Sequence, residues 1–336
     1  MKVAAFEALH QPLVIRTVAD PTPGEEDVIV SVKRCGICGS DLHMSEEPAY
    51  GSRPGEVFGH EFAGEVIARG PKVQDLRIGD PVSVVPLRSC GRCPSCLAGE
   101  PAWCSEMSLQ GGGYAQYAAV NERQCVRLPR SFSFADGALA EPLAVALHGV
   151  QLSGLRSADK VLVIGAGPIG LATAFWARRF GASRVVVQDI VDAQRERALR
   201  VGATDFICSG DPVEAARSAL KGLADIVFEC VGLPGLIMQA GLQARVKGTV
   251  VILGLCARPD TINPFALLSK ELRLLTSAFF KRQEYEASLD VLDRAEAEPR
   301  ALVSEVVGLD AVPATFEALK RPHRHCKVQI DPWNQP

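Results

Sequence analysis

Val161-Leu-Val-Ile-Gly165-Ala-Gly167-Pro168-Ile169-Gly170 decides the fold: four aliphatic residues run into glycines spaced G-x-G-x-x-G. Residues 161–177 carry no charge, which brings the run to the lower edge of the length that spans a bilayer. The glycines and Pro168 divide it instead into a strand, a tight turn and a helix, so a membrane span is not expected. In that context the motif has physical content. Glycine lets the backbone approach a pyrophosphate, and the unpaired N–H groups and dipole of a helix N-terminus favour an anion. Gly165, Gly167, Pro168, Ile169 and Gly170 are therefore the expected dinucleotide contacts.

Outward from this turn, apolar strands at 184–189, 225–229 and 249–253 alternate with helices at 193–201 and 236–244. Strands that are apolar throughout and separated by helices predict a parallel, doubly wound α/β sheet. Asp189 closes the second strand, nineteen residues beyond Gly170. An acid there accepts hydrogen bonds from the adenosine ribose 2′-OH of NAD. An acid ending a strand by chance is the competing reading, but strand, loop, helix and acid all fall at the expected spacing. Gln194 and Arg195 lie too far into the next helix to meet a 2′-phosphate, so NAD is expected rather than NADP.

Residues 1–85 have a different texture. Short β-like runs at 1–6, 13–17, 28–32, 62–67 and 81–85 are separated by Pro- and Gly-rich turns, which predicts an irregular antiparallel β domain. Inside it lie Cys35-Gly-Ile-Cys38-Gly-Ser40-Asp41-Leu-His43 and Gly59-His60-Glu61. Thiols, imidazoles and acids in one short segment supply the sulfur, nitrogen and oxygen donors that Zn²⁺ takes. The alternative is a redox C-x-x-C pair with an ordinary buried histidine. A redox pair would open a helix beside a βαβ unit, whereas strands flank this segment and Gly36 and Gly39 argue against a long helix. A catalytic metal site is the preferred reading.

Cys90, Cys93, Cys96 and Cys104 follow at C-x₂-C-x₂-C-x₇-C spacing. Four thiolates on one lobe close a tetrahedron about a single zinc and leave no open position for chemistry, so this site is expected to be structural. A nucleic-acid zinc ribbon would pair two separated knuckles and carry a basic surface, which Arg88 and Arg92 alone do not make. Glu141-Pro142 opens what reads as a helix reaching His148. From the residues alone Glu141 is an acid in a first turn, favoured by the helix dipole, with Pro142 beside it.

At 336 residues the chain exceeds what one core usually holds, and two domains are expected. A net charge of −3 gives no electrostatic footprint for nucleic acid or an anionic membrane surface. Glu7 and His10 interrupt the N-terminus before an apolar signal-peptide core develops. A cytoplasmic location is expected, with the 11 cysteines serving as thiols or metal ligands rather than disulfides.

In order and spacing, G-I-C-G-S-D-L-H, G-H-E, the four-cysteine lobe and G-A-G-P-I-G resemble the zinc-dependent medium-chain dehydrogenases of the alcohol dehydrogenase superfamily. Within that family the chain resembles the polyol branch of sorbitol and L-idonate 5-dehydrogenases. The resemblance implies a GroES-like catalytic domain over 1–147 and 279–336, interrupted by a Rossmann NAD-binding domain over 148–278. It also implies one catalytic and one structural zinc per chain, a small-molecule alcohol substrate, and a homodimer or homotetramer. Carried over, Cys38 and His60 are ligands of the catalytic zinc, and Glu61 is the adjacent acid that approaches it. Glu141 becomes the branch's carboxylate ligand, which reverses the reading from the residues alone. Ser40 passes on the substrate proton, His43 is the outer histidine of the relay, and Asp41 orients His60. The expected reaction is hydride transfer from a secondary alcohol of a polyol or sugar acid to NAD⁺. A short segment from Cys104 to Tyr114 with Trp103 and Leu109 nearby keeps a cyclic, terpenoid or simple secondary alcohol open. A zinc-free quinone reductase-like enzyme would lack these ligands, and a non-catalytic NAD- or zinc-binding protein would have lost Ser40 and His43.

Overall fold

Valine and isoleucine runs, whose branched side chains suit a pleated surface, mark the central strands of both sheets in a computed structural model that describes residues 1–129, 131–294, 298–321 and 323–334. The chain forms two compact units. One comprises Met1–Glu141, Lys281–Ala295 and Val303–Pro336; the other comprises Pro142–Phe280 and Glu296–Leu302.

In the first unit Asp27–Gly36 is the hub of a seven-stranded sheet ordered Val303–Gly308, Lys327–Asp331, Asp27–Gly36, Glu61–Arg69, Pro81–Val84, Cys125–Arg127, with Tyr117–Asn121 also paired to the hub. All of these pairings are antiparallel except that of Val303–Gly308 with Lys327–Asp331. Residues of the hub pack on Phe58, Phe62, Tyr114, Phe316 and Ile330 in the unit's core. Register places Cys35 opposite Phe62, and Gly36 opposite both Glu61 and Gln329. The end of the hub strand thereby meets the start of one strand and the middle of another, and this is where the candidate ligands collect.

The second unit is built on a six-stranded parallel sheet ordered Asp205–Ile207, Arg184–Gln188, Lys160–Ile164, Ala224–Glu229, Ala244–Ile252, Arg273–Thr276. In chain order this is 3-2-1-4-5-6, the doubly wound arrangement whose ligand crevice lies beyond the carboxyl ends of the strands where the order reverses. Lys160–Ile164 is the first of these six strands in chain order and stands at that reversal. The expected α/β class, an irregular β unit with a parallel doubly wound sheet, is what the structure contains. Among the described residues no helix is long and apolar enough to cross a membrane.

Three local expectations change. A helix does follow the C-x-x-C pair, Gly39–Glu46, because Asp41 in its first turn reaches back to the Cys38 N–H and offsets the cost of Gly39 at its start. The helix expected to open at Glu141 begins seven residues earlier and runs Phe134–Ser153. Glu141 is therefore mid-helix rather than a first-turn acid, and Pro142 removes one internal N–H bond. Arg195 opens a short helix, Arg195–Arg200, after a 3₁₀ turn at Asp192–Gln194, so it lies less deep than its sequence position suggests.

At Gly170 an added Cβ would sit 1.9 Å from the Gly165 carbonyl oxygen, backbone that cannot yield cheaply. Gly170→Ala is expected to cost about 1–3 kcal/mol, the usual range for overpacking. A denaturation midpoint equal to wild type would show that the turn is looser than this contact requires.

Candidate active site

Cys38 is the N-cap of the Gly39–Glu46 helix, and His60 and Glu61 stand at the entry to Glu61–Arg69. One ligand atom from each of Cys38, His60 and Glu61 lies within 4.8 Å of the others. His60 and Glu61 are buried, 5% and 0% exposed. Asp41 holds the group together. Its carboxylate accepts the Cys38 N–H at 3.1 Å and the Tyr114 hydroxyl at 2.6 Å, and lies 3.3 Å from His60 Nδ1. With Nδ1 committed to a carboxylate, Nε2 is the imidazole atom left to bind a metal. Burial by itself would depress the His60 pKa, but the Asp41 carboxylate and the Cys38 sulfur hold it well above the ordinary histidine value. Burial likewise works against ionised Asp41, yet His60, Tyr114 and the Cys38 N–H keep it below the usual aspartate range.

Glu61 is anchored on the other side. Its Oε1 accepts from Lys327 Nζ at 2.7 Å, and the same ammonium donates to the Ile37 carbonyl at 2.9 Å. Glu61 Oε2 is buried without a hydrogen-bond partner. A Cβ on Gly36 would lie 1.9 Å from that oxygen, so glycine is what leaves room for the carboxylate. Glu141 falls outside the three-residue group but is buried. Burial first, and then the Glu61 and Asp41 charges against the opposing pull of His60 and Lys327, push its pKa up to about 7.

Among the described residues Lys327 is the only buried lysine or arginine, while Asp41, Glu61 and Glu141 are all buried acids of the same unit. An excess of buried negative charge, an orphaned carboxylate oxygen, a thiol and an imidazole with a directed free nitrogen fit a dication such as zinc.

Ser40 Oγ donates to Cys38 Sγ at 3.2 Å. His43, one turn on, has Nδ1 3.0 Å from Glu47 Oε1 and its ring stacked 6.3 Å from Tyr50. Tyr114, Lys327 and Glu47 escaped the reading of the sequence. Lys327 had no distinct signal: it is one of three polar residues alternating with Val328 and Ile330 along the strand Lys327–Asp331.

The four cysteines of the second cluster also come within 4.8 Å of one another. Cys96 Sγ is 3.5 Å from Cys93 Sγ and 3.9 Å from Cys90 Sγ, and Cys104 Sγ accepts from the N–H groups of Cys90 and Glu106. The backbone N–H groups of Arg92 and Cys93 lower the Cys90 pKa to about 6, whereas Cys93, against the pull of the Cys96 N–H, is pushed up to about 11 by burial and the neighbouring sulfurs, so that in this cluster one thiol gives up its proton more easily at the expense of another. Arg88, beside this lobe, is half exposed and faces Asp27 at 3.9 Å.

In the second unit Gly165 adopts φ +101°, and a Cβ on Gly167 would meet nothing within 4 Å. The helix Pro168–Arg179 starts there with Gly167 as its N-cap and Pro168 in its first turn. Asp189 accepts the Ala166 N–H at 2.6 Å and the Val191 N–H at 2.8 Å, so the acid holds the glycine turn itself. An open backbone cradle at a helix N-terminus fits a pyrophosphate.

Residues 24–130 match the alcohol dehydrogenase GroES-like domain, and residues 168–294 match the zinc-binding dehydrogenase domain. The chain is 31% identical to L-idonate 5-dehydrogenase of Vitis vinifera over 90% of its own length and 86% of that protein's. It is 30% identical to D-xylulose reductase A of Aspergillus niger, over 88% and 86%. The chain belongs to the zinc-dependent medium-chain dehydrogenases. Its resemblance to the sorbitol and polyol branch of that family extends through both domains. Among solved structures, a zinc-binding dehydrogenase of Sinorhizobium meliloti 1021 bound to NADP superposes with a TM-score of 0.88 at 34% identity, covering 98% of this chain and 99% of that one.

Two separable metal sites predict two zinc ions per chain by elemental analysis. His60→Ala is expected to lose one ion and turnover with a modest loss of stability, because buried Asp41 loses a partner. Cys96→Ser is expected to lose the other and lower Tm by several degrees, because structural zinc binding is coupled to folding. A single zinc in carefully prepared wild-type protein would contradict the assignment.

Proposed function

We propose that the protein is a zinc-dependent polyol dehydrogenase that moves a hydride from a secondary alcohol of a polyol or sugar acid to NAD⁺. The observation that carries the reading is the donor group of half-buried Cys38 with buried His60 and Glu61, which feels the charge of buried Glu141 and is served by Asp41 and Lys327. Zinc, when bound, acts as a Lewis acid that lowers the pKa of a substrate hydroxyl, and NAD⁺, when bound, accepts the hydride. Cys38, His60 and the two carboxylates are the residues that would hold the metal. Asp41 keeps His60 Nδ1 occupied and its ring oriented. Lys327 pairs with Glu61 at 2.7 Å and gives the buried carboxylate a charge partner.

Ser40 Oγ, 3.2 Å from Cys38 Sγ, would accept the hydroxyl proton of a substrate while releasing its own outward. His43 receives the proton further out; Glu47 on its Nδ1 leaves Nε2 as the accepting atom. Carboxylate donors make the site more polar than thiolates would, and they suit a substrate offering two neighbouring oxygens, as vicinal diols do. The named activities of the Vitis and Aspergillus relatives point in the same direction.

NAD⁺ rather than NADP⁺ is the proposed acceptor, although the Sinorhizobium neighbour binds NADP. Asp189 would face the ribose diol and repel a 2′-phosphate, a like-charge juxtaposition that costs several kcal/mol. Arg195, the nearby cation, is committed to Asp192 at 2.7 Å and lies 5.0 Å over the Phe206 ring.

The exposed Trp103 and Leu109, 61% and 40% accessible, favour a second reading in which the alcohol is cyclic or terpenoid. A panel of sorbitol, xylitol, L-idonate, butanediol, cyclohexanol and ethanol with both cofactors tests the two. The expected result is a kcat/KM at least about tenfold higher with NAD⁺ and a polyol or sugar acid, which corresponds to about 1.4 kcal/mol. Ethanol or NADP⁺ ahead by that margin would overturn the substrate or the cofactor assignment respectively. Glu141→Ala with unchanged zinc content and kcat would remove Glu141 from the ligand set.

A further inference from the structure

Strands on both sides of Lys160–Ile164 are followed by or end in an acid, and the two acids differ in their surroundings. Asp189 is half-buried and faces the glycine turn. Glu229, last residue of Ala224–Glu229, is 2% exposed. A carboxylate removed from water in this way is costly unless it is hydrogen-bonded. Glu229 Oε1 accepts two backbone N–H groups, from Val231 at 2.7 Å and Gly232 at 2.8 Å. Its carbonyl oxygen accepts two more, from Leu253 at 2.8 Å and Gly254 at 3.0 Å. One residue thus ties together the chain leaving Ala224–Glu229 and the chain leaving Ala244–Ile252.

The space around the carboxylate is filled. Gly232 adopts φ +80°, and a Cβ there would lie 2.3 Å from the Leu255 carbonyl oxygen; a Cβ on Gly254 would lie 2.5 Å from Glu229 Oε2. Toward the first strand, Cys230 N–H donates to the Ile164 carbonyl at 2.9 Å, and a Cβ on Gly165 would meet Val231 Cγ2 at 2.7 Å. Segment 230–232 is consequently one wall of the G-x-G turn, and its outward shape is set by a carboxylate behind it.

We propose that Glu229 is a positioning residue for the dinucleotide: it clamps segment 230–232 against Gly165 and so fixes the width of the cradle without touching the cofactor. The inference rests on the reading of the cradle as a nicotinamide dinucleotide site. Hydrogen-bond acceptance is the property that matters, because glutamine keeps an oxygen in place of Oε1 whereas methionine fills the volume and accepts nothing comparable from an amide.

The test compares Glu229→Gln and Glu229→Met in the full-length zinc-loaded protein by NADH fluorescence titration, steady-state kinetics in NAD⁺ and hydrogen exchange at Val231 and Gly232. Glu229→Met is expected to raise the NADH Kd and the NAD⁺ KM about tenfold or more, with kcat changed far less and with faster exchange at both amides, since a buried and a part-buried donor lose their acceptor. Glu229→Gln is expected to stay close to wild type in all three. Wild-type affinity in Glu229→Met, or an equal loss in both variants, would overturn the proposal. Should Glu229→Met fail to fold, Val231→Gly loosens the same wall at a side chain that is 40% exposed; a raised NADH Kd supports the clamp, and an unchanged one overturns it. Wild-type protein that binds neither NADH nor NADPH would instead contradict the dinucleotide reading itself.

Discussion

One buried carboxylate sets the geometry of the first unit. Asp41 is 0% exposed, and an ionised group in that position must have its oxygens satisfied. Cys38 N–H, Tyr114 hydroxyl and His60 supply the partners, and they come from a helix start, a distant loop and a strand entry. Meeting the hydrogen-bonding needs of one acid therefore brings three separate pieces of chain to fixed positions. The same bonds direct His60 Nε2 and bring Cys38 beside it. A metal site of this kind is preorganised, in that its ligands are held by groups other than the metal.

Lys327 plays the opposite part. Its ammonium is buried with Glu61, an arrangement that is costly to break because removal of one partner leaves an unpaired charge. The lysine comes from the last strand of the chain, and the acid from a segment 266 residues earlier. Return of the chain to the first unit after the parallel sheet is thus required by the site's charge balance as well as by the sheet, where Lys327–Asp331 pairs with Asp27–Gly36.

Much of this was legible in the sequence, for identifiable reasons. Glycine spacing, continuous apolar strands and cysteine spacing are local patterns, and the parallel sheet, the turn at Gly165 and the four-cysteine lobe follow from them. Cys38, His60 and Asp41 were legible because their donor atoms crowd into two short motifs. Lys327 and Tyr114 were not, since each contributes to the site only through long-range strand or loop placement, and neither carries a metal-ligand signature. The helix start before Glu141 was misread because Pro142 looks like a first-turn residue; the actual cap lies upstream at Ser133, whose hydroxyl accepts the Asp136 N–H at 3.1 Å in a Ser-x-x-Asp pattern. Glu229 ends an apolar strand and has no motif of its own. Only the two backbone N–H groups folded over its side chain mark it.

The central claim is that Asp41 orients His60 and thereby fixes the affinity of the metal site. Zinc titration of metal-stripped Asp41→Asn against wild type, with the four-cysteine site kept loaded, measures this directly. Asparagine preserves the volume but removes the charge, and loss of such an orienting acid typically weakens metal binding by roughly 10–100-fold. The account predicts a loss of that size at the Cys38–His60 site with the four-cysteine zinc retained. Equal zinc affinity in Asp41→Asn and wild type, with the protein folded, would contradict it.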